Sequence, residues 1–136
     1  MSAGNFVVSR VLRSPLHPML SGSTALVRYA GRRSDRQFIT PAQYVESGAD
    51  IIILVGHAEA KTWWRNFRND RDLDVLVRRT WLPMTARAVV GIDEPETIAP
   101  LLDAYVKRFP KAIRLLGDQP DETRARGAVV VWCRPR

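Results

Sequence analysis

The stretch GRRSDRQFITPAQYVESGADIIILVG, residues 31–56, decides how the chain is read. It holds two β-runs separated by turn chemistry. The first is RQFITPAQYV (36–45), whose Pro41 lacks a ladder donor and so marks an edge strand or a bulge. ESGAD (46–50) supplies a turn around Gly48, and the continuous apolar run IIILVG (51–56) follows, so the two runs form a hairpin. Ahead of both stand Gly31 and three arginines, Arg32, Arg33 and Arg36. Charge of that density before a strand has two readings, a solvated turn or a cradle for an anion, and composition alone favours the turn.

On the N-terminal side, ALVRYA (25–30) alternates as a strand and ends at Gly31, while Phe6 to Leu12 reads as a short helix stopped by Pro15 and Pro18. On the C-terminal side, HAEAKTWWRNFRND (57–70) reads as a short helix and loop, and LDVLVRR (73–79) pairs with WLPMTARAVVG (81–91) in a second hairpin. There Ala86 and Ala88 alternate with Arg87 and Val89, the pattern of a strand with one wet face. DEPETIAPLLDAYVKRFP (93–110) is the main helix. Asp93 is its expected cap, Pro95 sits in the first turn and Glu96 comes three residues after the cap. Ile98, Leu101, Leu102, Tyr105 and Phe109 keep helical spacing, Pro100 predicts a local kink and Pro110 an end. A helical piece through Leu116 stops at Gly117, DQPDETRARG (118–127) is a polar loop, and AVVVWC (128–133) is a buried closing strand. About six antiparallel strands, mostly in hairpins, with one main helix before the last, exclude a doubly wound sheet and predict a mainly β (α+β) barrel with helical additions.

The totals bound the function. The chain has 136 residues, 46% hydrophobic and 26% charged, enough for one domain with its own core. Cys133 is the single cysteine, which excludes an internal disulfide and a multi-cysteine metal site; in an apolar strand it reads as an inert core thiol. His17 and His57 are far apart, which argues against a metal centre. The net charge is +7, and the first 36 residues carry six arginines against Asp35 alone. That balance suits an anionic partner. Nucleic acid is not expected, because the aromatics do not interleave with the arginines along one face. No apolar run approaches a spanning helix and no signal-peptide core leads the chain, so a cytoplasmic setting is expected. Arg10 and Arg13 beside Phe6, Val7, Val11 and Leu12 leave open a weak association with the inner membrane face, or packing across a barrel mouth.

The run GRRSDRQFITPAQY, then DIIILVG, then TWWRNFRND, then LDVLV resembles the deazaflavin-dependent nitroreductase family of actinobacteria. These are split β-barrel proteins related to the flavin-binding pyridoxamine-phosphate-oxidase-like barrels. The resemblance covers roughly residues 22 to 110 and, more weakly, AVVVWC; GRRS with TP six residues on, and WWRN after the third strand, carry it. It implies one domain over residues 1–136, with a helical extension at 1–21 and a split barrel at 22–136. It also implies deazaflavin coenzyme F-420 as cofactor, with FMN as runner-up, and hydride transfer to a small hydrophobic electrophile such as a quinone, nitro compound or activated alkene.

By position, the resemblance puts Arg32, Arg33 and Ser34 on the anionic tail. It puts Thr40, Pro41 and Gln43 along the ring groove, Val55, Gly56 and His57 at the ring edge, and Trp63, Trp64 and Asn66 at the tail end. Guanidinium forks bind phosphate or carboxylate bidentately, and a glycine lets backbone approach a flat ring. Tyr44 and His57 are the candidate proton donors, and a homodimer is among the implied assemblies. The residues keep plainer alternatives. One of Trp63 and Trp64 is core and the other pocket or surface, Trp81 and Trp132 are barrel packing, and His57 is a structural histidine. Asp35 and the tyrosine-free FPKAIRLLGDQPDE (109–122) leave room for a cofactor-poor barrel holding a lipid or other hydrophobic ligand, or for an FMN flavoprotein.

Overall fold

The computed structural model describes residues 24–33, 36–56, 58, 61–110 and 127–136. Among them are seven strands: β1 Thr24–Ala30, β2 Gln37–Gln43, β3 Val45–Ser47, β4 Asp50–Leu54, β5 Arg71–Val77, β6 Thr80–Val90 and β7 Val129–Pro135. A 3₁₀ segment, Trp63–Phe67, lies between β4 and β5, and one α-helix, α1 Pro95–Arg108, between β6 and β7. The proposed helix at 6–12, the piece through Leu116, and Ser34, Asp35 and His57 lie outside the described residues.

All seven strands form one antiparallel sheet in the order β2-β1-β5-β6-β7-β4-β3. A single residue, Tyr44, separates the end of β2 from the start of β3. The two outermost strands of that order are therefore one bent length of chain, and the sheet curls back on itself as the barrel reading requires. The run 36–45, read as one strand, is thus two: its first part pairs with β1 and its last residue with β4. Pro41 sits in β2, which has β1 as its one partner, so its missing donor disrupts no second ladder.

Alternation sorts the side chains. Val27, Tyr29, Ile53, Val75, Ala86 and Val131 point into the barrel and belong to one buried cluster. On the outer face, Ile52, Leu54, Val89 and Val130 meet Ile98, Leu102 and Tyr105 of α1. Each buried valine, isoleucine and leucine among these contributes roughly 1.5–3 kcal/mol by leaving water. The outer face of β6 is therefore not simply wet: Arg87 is half-buried and Val89 is fully covered. Trp132 packs at the edge of the α1 cluster and donates its Nε1–H to Asp50 Oδ2 at 3.0 Å. Trp81 lies against Leu26 and Leu76, under the Arg28 guanidinium at 4.0 Å.

The helix start differs from expectation. Glu94, not Asp93, occupies the cap position, and its side chain makes no capping hydrogen bond among the described residues. Glu94 instead takes Arg87 at 2.6 Å, which holds its carboxylate on the sheet side. Pro95 is in the first turn, as expected, and α1 runs on past Pro100, which removes one backbone donor, to end at Phe109, whose N–H donates to Tyr105 C=O at 2.9 Å.

Two hairpins turn on two residues each. At Gly48–Ala49 the first central residue is glycine with φ 60°, the usual solution. At Arg78–Arg79 both central residues are arginines, with φ 48° and 68°. A non-glycine residue held there costs roughly 1–2 kcal/mol.

A side chain at Gly31 would collide with this packing. A Cβ there would stand 2.7 Å from Phe38 Cε2, and the Phe38 ring is stacked on Tyr29 at 5.7 Å. Gly31→Ala is expected to cost about 1–3 kcal/mol in urea unfolding, as overpacking does; an unchanged midpoint would show that the ring moves freely. Cys133 is fully buried, and burial, then Asp50, pushes its thiol up to about 12. The folded state therefore favours the protonated thiol, and this contribution is lost as pH rises from about 9 towards 12. Cys133→Ala is expected to flatten the alkaline fall in stability, measured by chemical unfolding between pH 8 and 11.

Candidate functional site

The loop joining β1 to β2 is closed by Gly31 N–H donating to Arg36 C=O at 2.8 Å. This closure leaves Arg32, Arg33 and Arg36 exposed. The Arg32 backbone N–H donates to Asn66 Oδ1 at 2.8 Å, and Asn66 Nδ2–H donates to the Trp63 carbonyl at 2.7 Å. One amide thus pins the basic loop to the 3₁₀ segment, and both of its ends are used. Beneath this junction Tyr29 contacts Phe38, Trp63 and Phe67 at ring separations of 5.7, 6.2 and 5.5 Å, and Trp63 meets Phe67 at 6.2 Å. The loop and the 3₁₀ segment therefore rest on a shared aromatic floor, whose separations suit offset and edge-to-face contacts.

Charge is uncompensated here. Arg28, Arg78, Arg87, Arg134 and Arg136 are each ion-paired to a carboxylate. Arg32, Arg33, Arg36, Lys61 and Arg65 make no ion pair with a described carboxylate. Arg65 Nε is buried with no hydrogen-bond partner among the described residues, and its guanidinium lies 5.5 Å from the Trp64 ring centre. A buried donor without an acceptor is costly. The exposed guanidinium groups of Arg32, Arg33 and Arg36, which no described carboxylate neutralises, fit the anionic tail of a flavin-like cofactor.

The structure brings together Arg32, Arg33, Trp63 and Asn66 of the expected set. It does not bring in Trp64, which is buried with its Nε1–H donating to Ala58 C=O at 2.9 Å. Trp64 is thus the core tryptophan and half-buried Trp63 the one near the surface. Val55 is buried and its N–H donates to Val129 C=O at 2.9 Å, while Gly56, two residues past β4, is half-buried. Thr40 faces inward, 3.4 Å from the Tyr29 hydroxyl, while Pro41 and Gln43 alternate with it and do not share its face. Gln43 accepts a hydrogen bond from the buried Tyr105 hydroxyl at 2.8 Å. Burial pushes that phenol up to about 12, so it stays a donor.

Tyr44 lies at the far end of β2 from the loop, roughly 20 Å or more along a strand of this length. It is buried in the barrel core, and its phenol is raised by burial and then by Glu46. Sequence reasoning passed over Arg65 and the Tyr29–Phe38–Phe67 floor. Arg65 stood inside the WWRN motif, and its spacing from Lys61 was the available signal.

Residues 9–111 match the model of the F420H(2)-dependent quinone reductase family. The chain belongs to that family. It is therefore a deazaflavin-dependent oxidoreductase of the split-barrel class, with coenzyme F-420 as cofactor. It is 26% identical over 117 residues, 83% of this chain and 90% of the other, to a Mycobacterium tuberculosis protein named, by inference, as an F420H(2)-dependent quinone reductase. A solved F420-H2 dependent reductase, FDR-A, shares the fold with a TM-score of 0.63 at 18% identity, covering 82% of this chain and 94% of that one. A structure described as a domain-swapped dimer aligns with a TM-score of 0.60 at 17% identity, over 98% of this chain and all of the other. Among the described residues no helix is long and apolar enough to cross a membrane.

Asn66→Ala removes the acceptor for the Arg32 N–H and is expected to cost about 0.5–1.5 kcal/mol, the range of a single hydrogen bond. Hydrogen exchange at the Arg32 amide should accelerate in the variant; an unchanged rate would mean that the loop holds without this tether.

Proposed function

We propose that loop 31–36 and the 3₁₀ segment together hold the phosphate- and carboxylate-bearing tail of coenzyme F-420, and that the acceptor is a quinone. The observation that carries this reading is the Arg32–Asn66 hydrogen bond, which ties the exposed basic loop to the 3₁₀ segment beside the Tyr29, Phe38, Trp63 and Phe67 rings. Reduced deazaflavin, when bound, supplies the hydride; with a proton it takes a quinone to the hydroquinone. The chain's part is binding and orientation. Arg32 and Arg33 present guanidinium forks to the tail oxygens, and Arg65 offers the buried Nε–H that lacks an acceptor. Trp63 covers the apolar side of the junction. Gly56, half-buried beside Val55, has no side chain to keep a flat ring from its backbone. The family match supports both the cofactor and the acceptor class.

Arg33→Glu reverses one charge of the cradle at an exposed position and leaves the core intact. Titration with oxidised F-420, followed by its fluorescence, should give a Kd raised several-fold or more, while thermal stability stays close to the parent's. An unchanged Kd would remove Arg33 from the tail site, and tighter binding of FMN than of F-420 would overturn the cofactor assignment.

A further inference from the structure

A second basic region stands apart from the loop. At the Tyr44 end of β2, a cavity of about 530 Å³ opens between β3, the β5–β6 turn and the last turn of α1. Arg78, Lys107 and Arg108 line it, with Tyr44 at one side and Glu46 as the one carboxylate among its described lining residues. Glu46 accepts from one Nη of Arg78 at 2.6 Å. That bond holds the guanidinium at the cavity, and a guanidinium carries further N–H donors. Lys107 and Arg108 make no ion pair with a described carboxylate, so the described lining residues keep a surplus of positive charge.

The backbone at this cavity supplies an independent observation. Arg78 and Arg79 both take left-handed φ, 48° and 68°, in a two-residue turn where glycine or asparagine would sit without strain. An arginine at this turn sits directly at the cavity, where a glycine would leave no guanidinium. Strained backbone at non-glycine residues gathers at ligand sites, where the surrounding structure over-determines it. Burial keeps Tyr44 in its hydroxyl form.

We infer that this cavity is an oxyanion site for a small molecule bearing a phosphate or carboxylate group, with Arg78, Lys107 and Arg108 as its cationic ligands. It is separate from the cofactor cradle, since β2 lies between the two.

The test is a titration of the full chain with inorganic phosphate, and with succinate in parallel, followed by amide chemical shifts at Val45, Glu46 and Ala104. The chains are the parent, Arg78→Gly, Lys107→Glu and Arg33→Glu. Saturable shifts at those amides are expected in the parent. Arg78→Gly and Lys107→Glu should each weaken binding about tenfold or more, as expected for loss of a charge-assisted contact, while Arg33→Glu binds like the parent. The tighter of the two probes distinguishes a phosphate from a carboxylate ligand. Arg78→Gly should melt no lower than the parent, because glycine accepts the left-handed turn, so lost binding cannot be put down to lost folding. Absence of saturable shifts, equal affinity in the parent and both cavity variants, or loss of binding in Arg33→Glu alone would overturn the inference.

Discussion

Tyr44 stands between β2, which pairs with β1, and β3, which pairs with β4, so one residue joins the two ends of the sheet order. The curl of the whole sheet follows from that connection. A continuous strand would have held its partners on one side; the break lets the chain leave one ladder and join another across the barrel. Inside–outside alternation runs through it unbroken, with Phe38, Thr40, Ala42 and Tyr44 on the inner face and Val45 turned to the α1 side in β3. A one-residue slip at this point would carry every inward side chain of β2 to the outer face. It would also separate Phe38 from Tyr29 and dismantle the floor beneath the basic loop.

The same strand sets the distance between the two basic regions. At its start the loop closed by Gly31 and Arg36 meets the 3₁₀ segment through Asn66. At its end Tyr44 opens to the cavity beneath Arg78. The net charge of +7 is not spread evenly. Along the outer face of the sheet, arginines and aspartates cancel, with Asp74 shared between Arg28 and Arg136 and Asp72 also meeting Arg136. Such partly exposed pairs contribute little to stability individually. Their consequence is spatial: the cations left without a described carboxylate include those at the β1–β2 loop, the 3₁₀ segment and the end of α1. An anionic ligand is drawn to those places by what the sheet has already neutralised elsewhere.

Helix α1 also links the fold to the site. Its buried Tyr105 donates to Gln43, two residues after Pro41, so the helix that covers the outer core also sets the side chain at the end of β2. Gln43 is exposed, yet its carbonyl is oriented by a phenol with no exposure of its own.

Much of this was legible in the residues. Alternation in 25–30, 73–79 and 81–91, the apolar run at 51–56 and the helical spacing of Ile98, Leu102 and Tyr105 are local patterns, and local patterns survive without knowledge of partners. The GRRS and WWRN motifs pointed to the basic loop and to Trp63 and Asn66 for the same reason: each is a short contiguous segment. What sequence could not settle depends on contacts across the chain. The split at Tyr44 arises from which ladder each half of the run joins. Trp64 rather than Trp63 is core because Ala58 accepts its indole N–H. Glu94 rather than Asp93 heads the helix because Arg87, on a neighbouring strand, claims its carboxylate. Arg65 and Arg78 acquire their significance from a missing partner and from one 32 residues away. Local spacing determined the strands, the helix and the basic motif, since those follow from backbone period and side-chain type; only the closed sheet decided which charges are cancelled and which stand together uncancelled, since that depends on distances between residues far apart in the chain.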